Sequence, residues 1–315
     1  MTRADSLLAK RPLGATGLMV PALCIGTAVL GNLTDTFYEV DEEQARATAR
    51  AILDGPVHFL DTAAGYGESE RRVGSVLKER GGLPPGFVLS TKSGCNFPAG
   101  SSGGDETRRS VERSLDLLGL ERLQLVYLHD PEETSFELAM APGGPVEALQ
   151  RCKEEGLIEH IGVAGGPIDL MIRYVETGAF EVVISHNRYT LLNVAAERLW
   201  DIALRRGVAP INAAPYGGGM LGKGPGACPR YAYRGAPAAL VERARRIEEI
   251  CARHGVPLAA AALQFSLREP RIVSTIVGIS KPERLQQTLA LARHPIPDEL
   301  WADLRAVPPQ RDDLG

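Results

Sequence analysis

Four side chains of complementary chemistry stand at or just beyond the ends of short apolar runs. Val57-His58-Phe59-Leu60 ends at Asp61, and Tyr66 follows five residues later between Gly65 and Gly67. Phe87-Val88-Leu89-Ser90-Thr91 runs straight into Lys92, and Gln124-Leu125-Val126-Tyr127-Leu128 into His129. Runs of this length read as buried strands that open into loops. A carboxylate at the end of a buried strand needs a partner, and Lys92 has the right charge. If the three strands are parallel neighbours, Asp61, Tyr66, Lys92 and His129 face one site.

A phenol ordinarily titrates near pH 10. An ammonium beside it favours the phenolate, so Lys92 is expected to lower the Tyr66 value, and Asp61 to keep Lys92 charged. A histidine can donate to a substrate oxygen or relay protons. Together the four groups can give or take a proton at a carbonyl or hydroxyl oxygen. Proton transfer at oxygen pairs naturally with hydride transfer at the adjoining carbon, and the hydride needs a cofactor. No metal-ligand set and no Ser-His-Asp set with a nucleophile elbow is evident. Taken singly, each residue has a structural reading: Asp61 as a cap, Tyr66 as a loop aromatic, Lys92 as an ion-pair partner, His129 as a satisfied buried imidazole. Their recurrence in consecutive units favours a site over four coincidences.

The elements that must position them alternate strand and helix. A hairpin at 13–21 turns at Ala15-Thr16-Gly17. Strands are expected at 22–26, 57–60, 87–91, 124–128, 159–164, 180–184, 208–213 and 273–277. Helices are expected at 42–54, 68–79, 145–155, 168–176, 195–206, 239–253, 259–267 and 282–292, with one more carrying Val111, Leu115 and Leu118. Strict alternation argues for a parallel sheet. Eight such units in 315 residues match an α/β fold, a (β/α)8 TIM barrel with an N-terminal β-hairpin, over the whole chain as one domain. A doubly wound sheet competes, but the first strand–helix turn lacks GxGxxG, and Gly165-Gly166 and Gly217-Gly218-Gly219 are too short and wrongly placed for it. Barrel chemistry sits at the C-terminal ends of strands, where Asp61, Lys92 and His129 are expected. The segment 298–315 is short for an arm that closes over substrate.

Composition excludes other classes. With 44% hydrophobic and 23% charged residues and a net charge of −4, the chain has neither a nucleic-acid surface nor a polybasic anchor. No apolar run reaches the roughly 20 residues of a membrane span, and residues 1–11 lack a signal-peptide h-region. Five separated cysteines without a CxxC pair read as reduced thiols of a cytoplasmic protein, with Cys95 near enough to Lys92 to line the site.

Leu60-Asp61-Thr62-Ala63 with Tyr66-Gly67, then Thr91-Lys92, then Leu128-His129, resemble the aldo-keto reductase superfamily. The likeness extends to Leu13-Gly14-Ala15-Thr16-Gly17-Leu18, Ile161-Gly162-Val163, Asn187-Arg188-Tyr189 and Gly278-Ile279-Ser280-Lys281-Pro282-Glu283-Arg284-Leu285. It implies a barrel that binds NAD or NADP in an extended pose, with Tyr66 as general acid/base, Lys92 and Asp61 tuning it, and His129 orienting substrate. It further implies cofactor contacts at Ala164, His186, Tyr216, Gly278, Ser280, Lys281, Arg284 and Gln287.

Several of these positions depart from the common family pattern. Ala164-Gly165 stands where many members have Ser-Asn, His186 where many have Gln, and Ala213 where a tyrosine often stacks on nicotinamide, with Tyr216 nearby. Gln287-Thr288 replaces a common Glu-Asn pair, and Gly278 replaces a basic residue. Lys281 and Arg284 either meet a 2′-phosphate or simply open a charged surface helix.

His129-Asp130-Pro131-Glu132, His186-Asn187-Arg188-Tyr189 and Asn212-Ala213-Ala214-Pro215-Tyr216 resemble the sugar-oxidising branch, a group that also contains a pyridoxal dehydrogenase. That branch implies oxidation of the anomeric hydroxyl of an aldose to a lactone. Asn32, Asp35, Asn96, Asp130 and His186 are the candidate polar partners for the small-molecule substrate. Two alternatives are a general carbonyl reductase and a non-catalytic partner of a membrane protein, as in potassium-channel beta subunits. The presence of all four active groups disfavours the second.

Overall fold

The computed structural model describes residues 7–33, 38–94, 101 and 103–314. Asp35, Cys95 and Asn96 therefore lie outside the described residues.

The chain opens with an antiparallel hairpin, β1 (Arg11–Pro12) and β2 (Met19–Val20). The units that follow are β3 (Leu23–Gly26) and α1 (Glu42–Leu53), β4 (Phe59–Asp61) and α2 (Ser69–Arg80), then β5 (Val88–Gly94) and α3 (Gly104–Leu118). The fourth unit, β6 (Leu123–His129), carries α4 (Phe136–Met140) and α5 (Pro145–Glu154). Next come β7 (Ile158–Gly165) with α6 (Ile168–Glu176), and β8 (Val182–His186) with α7 (Glu197–Arg205). The seventh connection is the longest. After β9 (Ala209–Ala213) it holds α8 (Met220–Lys223), a second hairpin of β10 (Arg230–Tyr231) and β11 (Arg234–Gly235), then α9 (Ala238–Arg253) and α10 (Leu258–Leu267). β12 (Ser274–Gly278), α11 (Glu283–Arg293) and α12 (Asp298–Leu304) complete the order.

Eight parallel strands close as β12-β3-β4-β5-β6-β7-β8-β9. The expected barrel and N-terminal hairpin are both present. Three details differ from the sequence reading. Lys92 lies inside β5, which pairs with β6 as far as Gly94. β8 begins two residues later than expected, because the Glu181 carboxylate caps the Ile161 amide at 3.1 Å and pairs with Lys153. The second hairpin and the short helices α4, α8 and α12 were not expected from periodicity.

Alternation along the strands divides two cores. Leu23, Leu60, Leu89, Val126, Leu128 and Val183 belong to the outer core with the helices. Cys24, Phe59, Val88, Leu125, Tyr127, Ile184 and Ile211 pack together inside the barrel. Leu13 and Val20 of the first hairpin join this inner cluster and are fully buried, so the hairpin plugs the barrel floor. The same period places Asp61, Lys92 and His129 on the inward face, in line with Phe59, Val88 and Tyr127.

α2 and α3 pack at backbone distance. A Cβ on Gly74 would lie 1.8 Å from the Leu117 carbonyl oxygen. Gly74→Ala would normally gain about 1 kcal/mol of helix propensity. Here the helices must part, and urea unfolding is expected to show a net loss of roughly 1–3 kcal/mol. Unchanged or raised stability would mean that the two helices separate freely.

Candidate active site

Each inward position at the top of a strand contributes to one cavity of about 560 Å³, with Asp61, Tyr66, Lys92 and His129 on its wall. Lys92 Nζ lies 2.5 Å from Asp61 Oδ2 and donates to Thr62 O at 2.7 Å. It also lies 4.6 Å from the Tyr66 ring centroid. An ammonium has three donors, and the third is directed at the Tyr66 side chain. Ser90 donates to the other Asp61 oxygen at 2.9 Å. Tyr66 and His129 meet edge to face, with ring centroids 5.4 Å apart. Asp61 and Lys92 are each only 3% exposed, so the ion pair is sealed from bulk water.

Burial opposes the charge on Lys92, but Asp61 and Tyr66 outweigh it and raise the lysine above its ordinary value. The pair is thereby held ionised. Burial lifts Asp61 too, while Lys92 and Ser90 pull it down. For Tyr66 the expected lowering does not occur. Burial pushes the phenol up to about 12, and the Lys92 charge only partly offsets it. Tyr66 therefore carries its proton at neutral pH. His129 is held neutral, its value driven far down by burial and then by Lys92 and His186.

Beside this group, Asp130 Oδ2 lies 3.5 Å from His129 Nε2 and Asp130 Oδ1 lies 4.0 Å from His186 Nε2. Burial, with Glu132 and Glu133 close, raises Asp130 to about 7. Burial lowers His186 to about 4. Asn187 Nδ2 donates to His186 Nδ1 at 3.0 Å, which leaves the imidazole proton on Nε2, facing Asp130. Asp130, Glu132 and His186 bring oxygen and nitrogen atoms within 4.8 Å of one another, a juxtaposition across two units that spacing does not reveal.

Other sequence-named residues divide. Ala164, His186, Tyr216, Gly278, Ser280, Arg284 and Gln287 all line the cavity. Asn32 does not: its Oδ1 accepts from Val40 N at 2.9 Å and Arg72 Nη1 at 3.2 Å, which ties down the loop after β3. Lys281 is off the cavity wall as well, in a separate depression with Asp41, Glu43 and Glu283. The Ser280 hydroxyl pairs with the Tyr38 hydroxyl, and Gln44 Nε2 donates to Ser280 O at 2.9 Å.

The far end of the cavity suits a dinucleotide. Among the described residues the buried Tyr216 hydroxyl has no hydrogen-bond partner, and Arg284 acts on it electrostatically. A buried donor beside a guanidinium suits an anionic oxygen. On the wall formed by β7 and β8, Ala164 is apolar and Gly165 has no side chain, and His186 supplies a polar group.

Sequence reasoning missed Tyr233, Ile184, Ile276 and Lys223 on the cavity wall. A second pointer is visible only in the backbone. Among the described residues, the non-glycine positions at positive φ are Asn32, Asp130, Asn187, Ala214, Ala232 and Tyr233. All six lie in loops that follow barrel strands. Strain of this kind gathers at functional sites.

The profile of the aldo/keto reductase family matches residues 22–308. The chain belongs to this family. Among curated relatives it is 34% identical to D-threo-aldose 1-dehydrogenase of Pseudomonas sp, over 92% of this chain and 94% of that protein. It is 31% identical to pyridoxal 4-dehydrogenase of Microbacterium luteolum, over 94% and 96%. It is 29% identical to L-galactose dehydrogenase of Arabidopsis thaliana, over 89% and 86%. The fold is that of the Bacillus halodurans aldo-keto reductase in its holo form, with a TM-score of 0.77 at 21% identity, covering 97% of this chain and 98% of that one. The protein is thus an oxidoreductase of the aldo/keto reductase family.

The ion pair supports its own test. Lys92→Met leaves a buried carboxylate without a counter-charge, and urea unfolding at pH 8 is expected to show a loss of about 3–5 kcal/mol. Restoring neutrality with Asp61→Asn in the same chain should recover part of that loss. An orphaned Asp61 has its pKa raised by folding, so the Lys92→Met deficit should shrink as pH falls toward the unfolded-state value near 4. Full stability in the single variant at pH 8 would contradict the pairing.

Proposed function

We propose that the protein oxidises the anomeric C1 hydroxyl of a cyclic aldose to the aldonolactone with NAD or NADP. The observation that carries this reading is a Tyr66–Lys92–Asp61 group and His129 set beside the polar pair Asp130 and His186 on one cavity wall. The names of the relatives at 34% and 29% identity support a sugar substrate. The name of the 31% relative makes pyridoxal the first alternative. We also read the chain as one barrel domain working in the cytoplasm on a small molecule, without a nucleic-acid or membrane partner.

In this reading, Tyr66 accepts the C1 hydroxyl proton as the C1–O bond becomes a carbonyl. A bound nicotinamide would supply the acceptor for the hydride from C1. Lys92 stabilises the phenolate form of Tyr66 that accepts this proton, and Asp61 keeps Lys92 in position and charged. Neutral His129 contributes a ring nitrogen at the substrate oxygen without adding a charge. Asp130 as carboxylate accepts from substrate hydroxyls, and His186 donates through Nε2. Arg284, Tyr216 and Gln287, on the same cavity wall, would hold the nucleotide.

Because burial places the Tyr66 phenol near 12, the proton-accepting form is scarce at neutral pH. Sugar oxidation should therefore speed up as pH rises through the alkaline range, whereas aldehyde reduction, which uses the phenol, should not. Tyr66→Phe should lower both rates by about a thousandfold or more while leaving cofactor binding nearly intact. Absorbance at 340 nm, with NAD and NADP separately over L-fucose, L-galactose, D-arabinose, L-glucose and pyridoxal, checks both expectations. Silence on every sugar removes the sugar reading. Unchanged turnover in Tyr66→Phe removes the role given to Tyr66.

Asp130 titrates near 7, so the carboxylate that accepts sugar hydroxyls forms as pH rises through that value. The sugar KM should fall between pH 6 and 8 in the wild type. In Asp130→Asn it should be higher and nearly independent of pH over this range, read from initial rates at each pH.

A further inference from the structure

Gly217-Gly218-Gly219 follows β9 and has no part in the roles assigned above. All three glycines take positive φ, at 61°, 76° and 121°. A Cβ on Gly217 would lie 2.3 Å from the Tyr231 ring, and one on Gly218 would lie 2.9 Å from the Tyr233 backbone nitrogen. The glycines form the bed on which the β10–β11 hairpin rests. Ala232 N donates to Gly217 O at 3.2 Å. Tyr231 pins the stem: its hydroxyl donates to Asn187 O at 2.7 Å and lies 2.8 Å from Thr190 Oγ1.

At the tip, Ala232 and Tyr233 take φ of 48° and 67°. Two consecutive left-handed residues make a tight hairpin turn that normally selects Asn and Gly. Alanine and tyrosine are costly there and persist because the docked stem fixes them. The result puts Tyr233 on the cavity wall, its phenol beside the Asn187 side chain and within the fields of Asp130 and Lys92.

We propose that Tyr233 is a substrate-specificity residue, the aromatic wall of the reaction chamber, held in place by the hairpin and its glycine bed. A pyranose has a C–H-rich face and a rim of hydroxyls. An aromatic ring suits the face, and Asp130 and His186 suit the rim. The inference rests on the sugar reading and on Tyr66 as the reacting group, and it names what holds the substrate ring.

The test compares wild type with Tyr233→Ala, Tyr233→Phe and Gly218→Ala. KM and kcat are measured on the best aldose and on butanal, and affinity for reduced cofactor by fluorescence titration without substrate. Tyr233→Ala is expected to raise the sugar KM about tenfold with kcat changed less than about threefold, butanal KM nearly unchanged and cofactor affinity within about twofold. Tyr233→Phe should keep most of the wild-type affinity for sugar, and Gly218→Ala should reproduce the alanine effect by displacing the hairpin. An unchanged sugar KM in folded Tyr233→Ala overturns the proposal, as does cofactor affinity lost in step with KM. If the wild type oxidises pyridoxal but no sugar, the sugar reading alone falls, and the same KM comparison on that flat ring decides the role of Tyr233. Absence of turnover on sugars, pyridoxal and butanal alike overturns both.

Discussion

The ion pair between Lys92 and Asp61 is the constraint around which the barrel mouth is organised. Two opposite charges sit at 2.5 Å inside a protein interior, each almost wholly removed from water. Such a pair survives only when its remaining hydrogen-bonding capacity is met. Ser90 serves Asp61, Thr62 O serves Lys92, and the last ammonium donor is left for Tyr66. Two neighbouring strands, β4 and β5, must keep parallel register for these contacts to exist, and β6 must keep it to set His129 beside them. Leu60 pairs with Leu89 in that ladder, and Thr91 with Val126. The chemistry therefore depends on the same hydrogen-bond ladder that closes the barrel.

Electrostatics at the mouth follow from burial more than from pairing. The Tyr66 phenol rises although a lysine lies beside it, because losing water costs the phenolate more than the ammonium returns. The same loss keeps His129 and His186 neutral and lifts Asp130. Around Tyr66, one buried ion pair with a neutral phenol and a neutral imidazole suits a reaction in which charge develops on a single oxygen. It also separates two tasks. In the proposed reaction the Tyr66 side of the cavity handles the proton, and the Asp130–His186 side offers an acceptor and a donor to a hydroxyl-bearing molecule.

Among the described residues, non-glycine backbone at positive φ is confined to the loops above the barrel strands. Asp130, Ala214 and Tyr233 sit at positive φ on the wall of one cavity, and Asn187 and Ala232 take it at positions next in sequence to cavity-lining residues. Asparagine and aspartate tolerate this conformation, so 130 and 187 were foreseeable candidates. Alanine and tyrosine do not, and their placement depends on the glycine bed and on Tyr231. A rigid scaffold thus carries a rim whose geometry is held by tertiary contacts.

The sequence by itself determined the fold class and singled out the four candidate reacting groups. Apolar runs with period two, separated by helical spacing, specify eight alternating units, and that period puts Asp61, Lys92 and His129 on one inward face whatever the loops do. These are local properties, set by strand geometry and chain order. Tertiary structure alone decided the rest. Asn32 looked like a substrate ligand but is used by Val40 and Arg72. Lys281 lies one residue from the cavity-lining Ser280 but in a different depression. Tyr233 is more than a hundred residues from Asp130 in sequence yet shares its cavity. The Tyr66 shift could not be read from its neighbours in the chain, because desolvation is a property of everything packed around a group. Loop residues meet through closure of the barrel, and no spacing rule within one segment encodes which of them will share a wall.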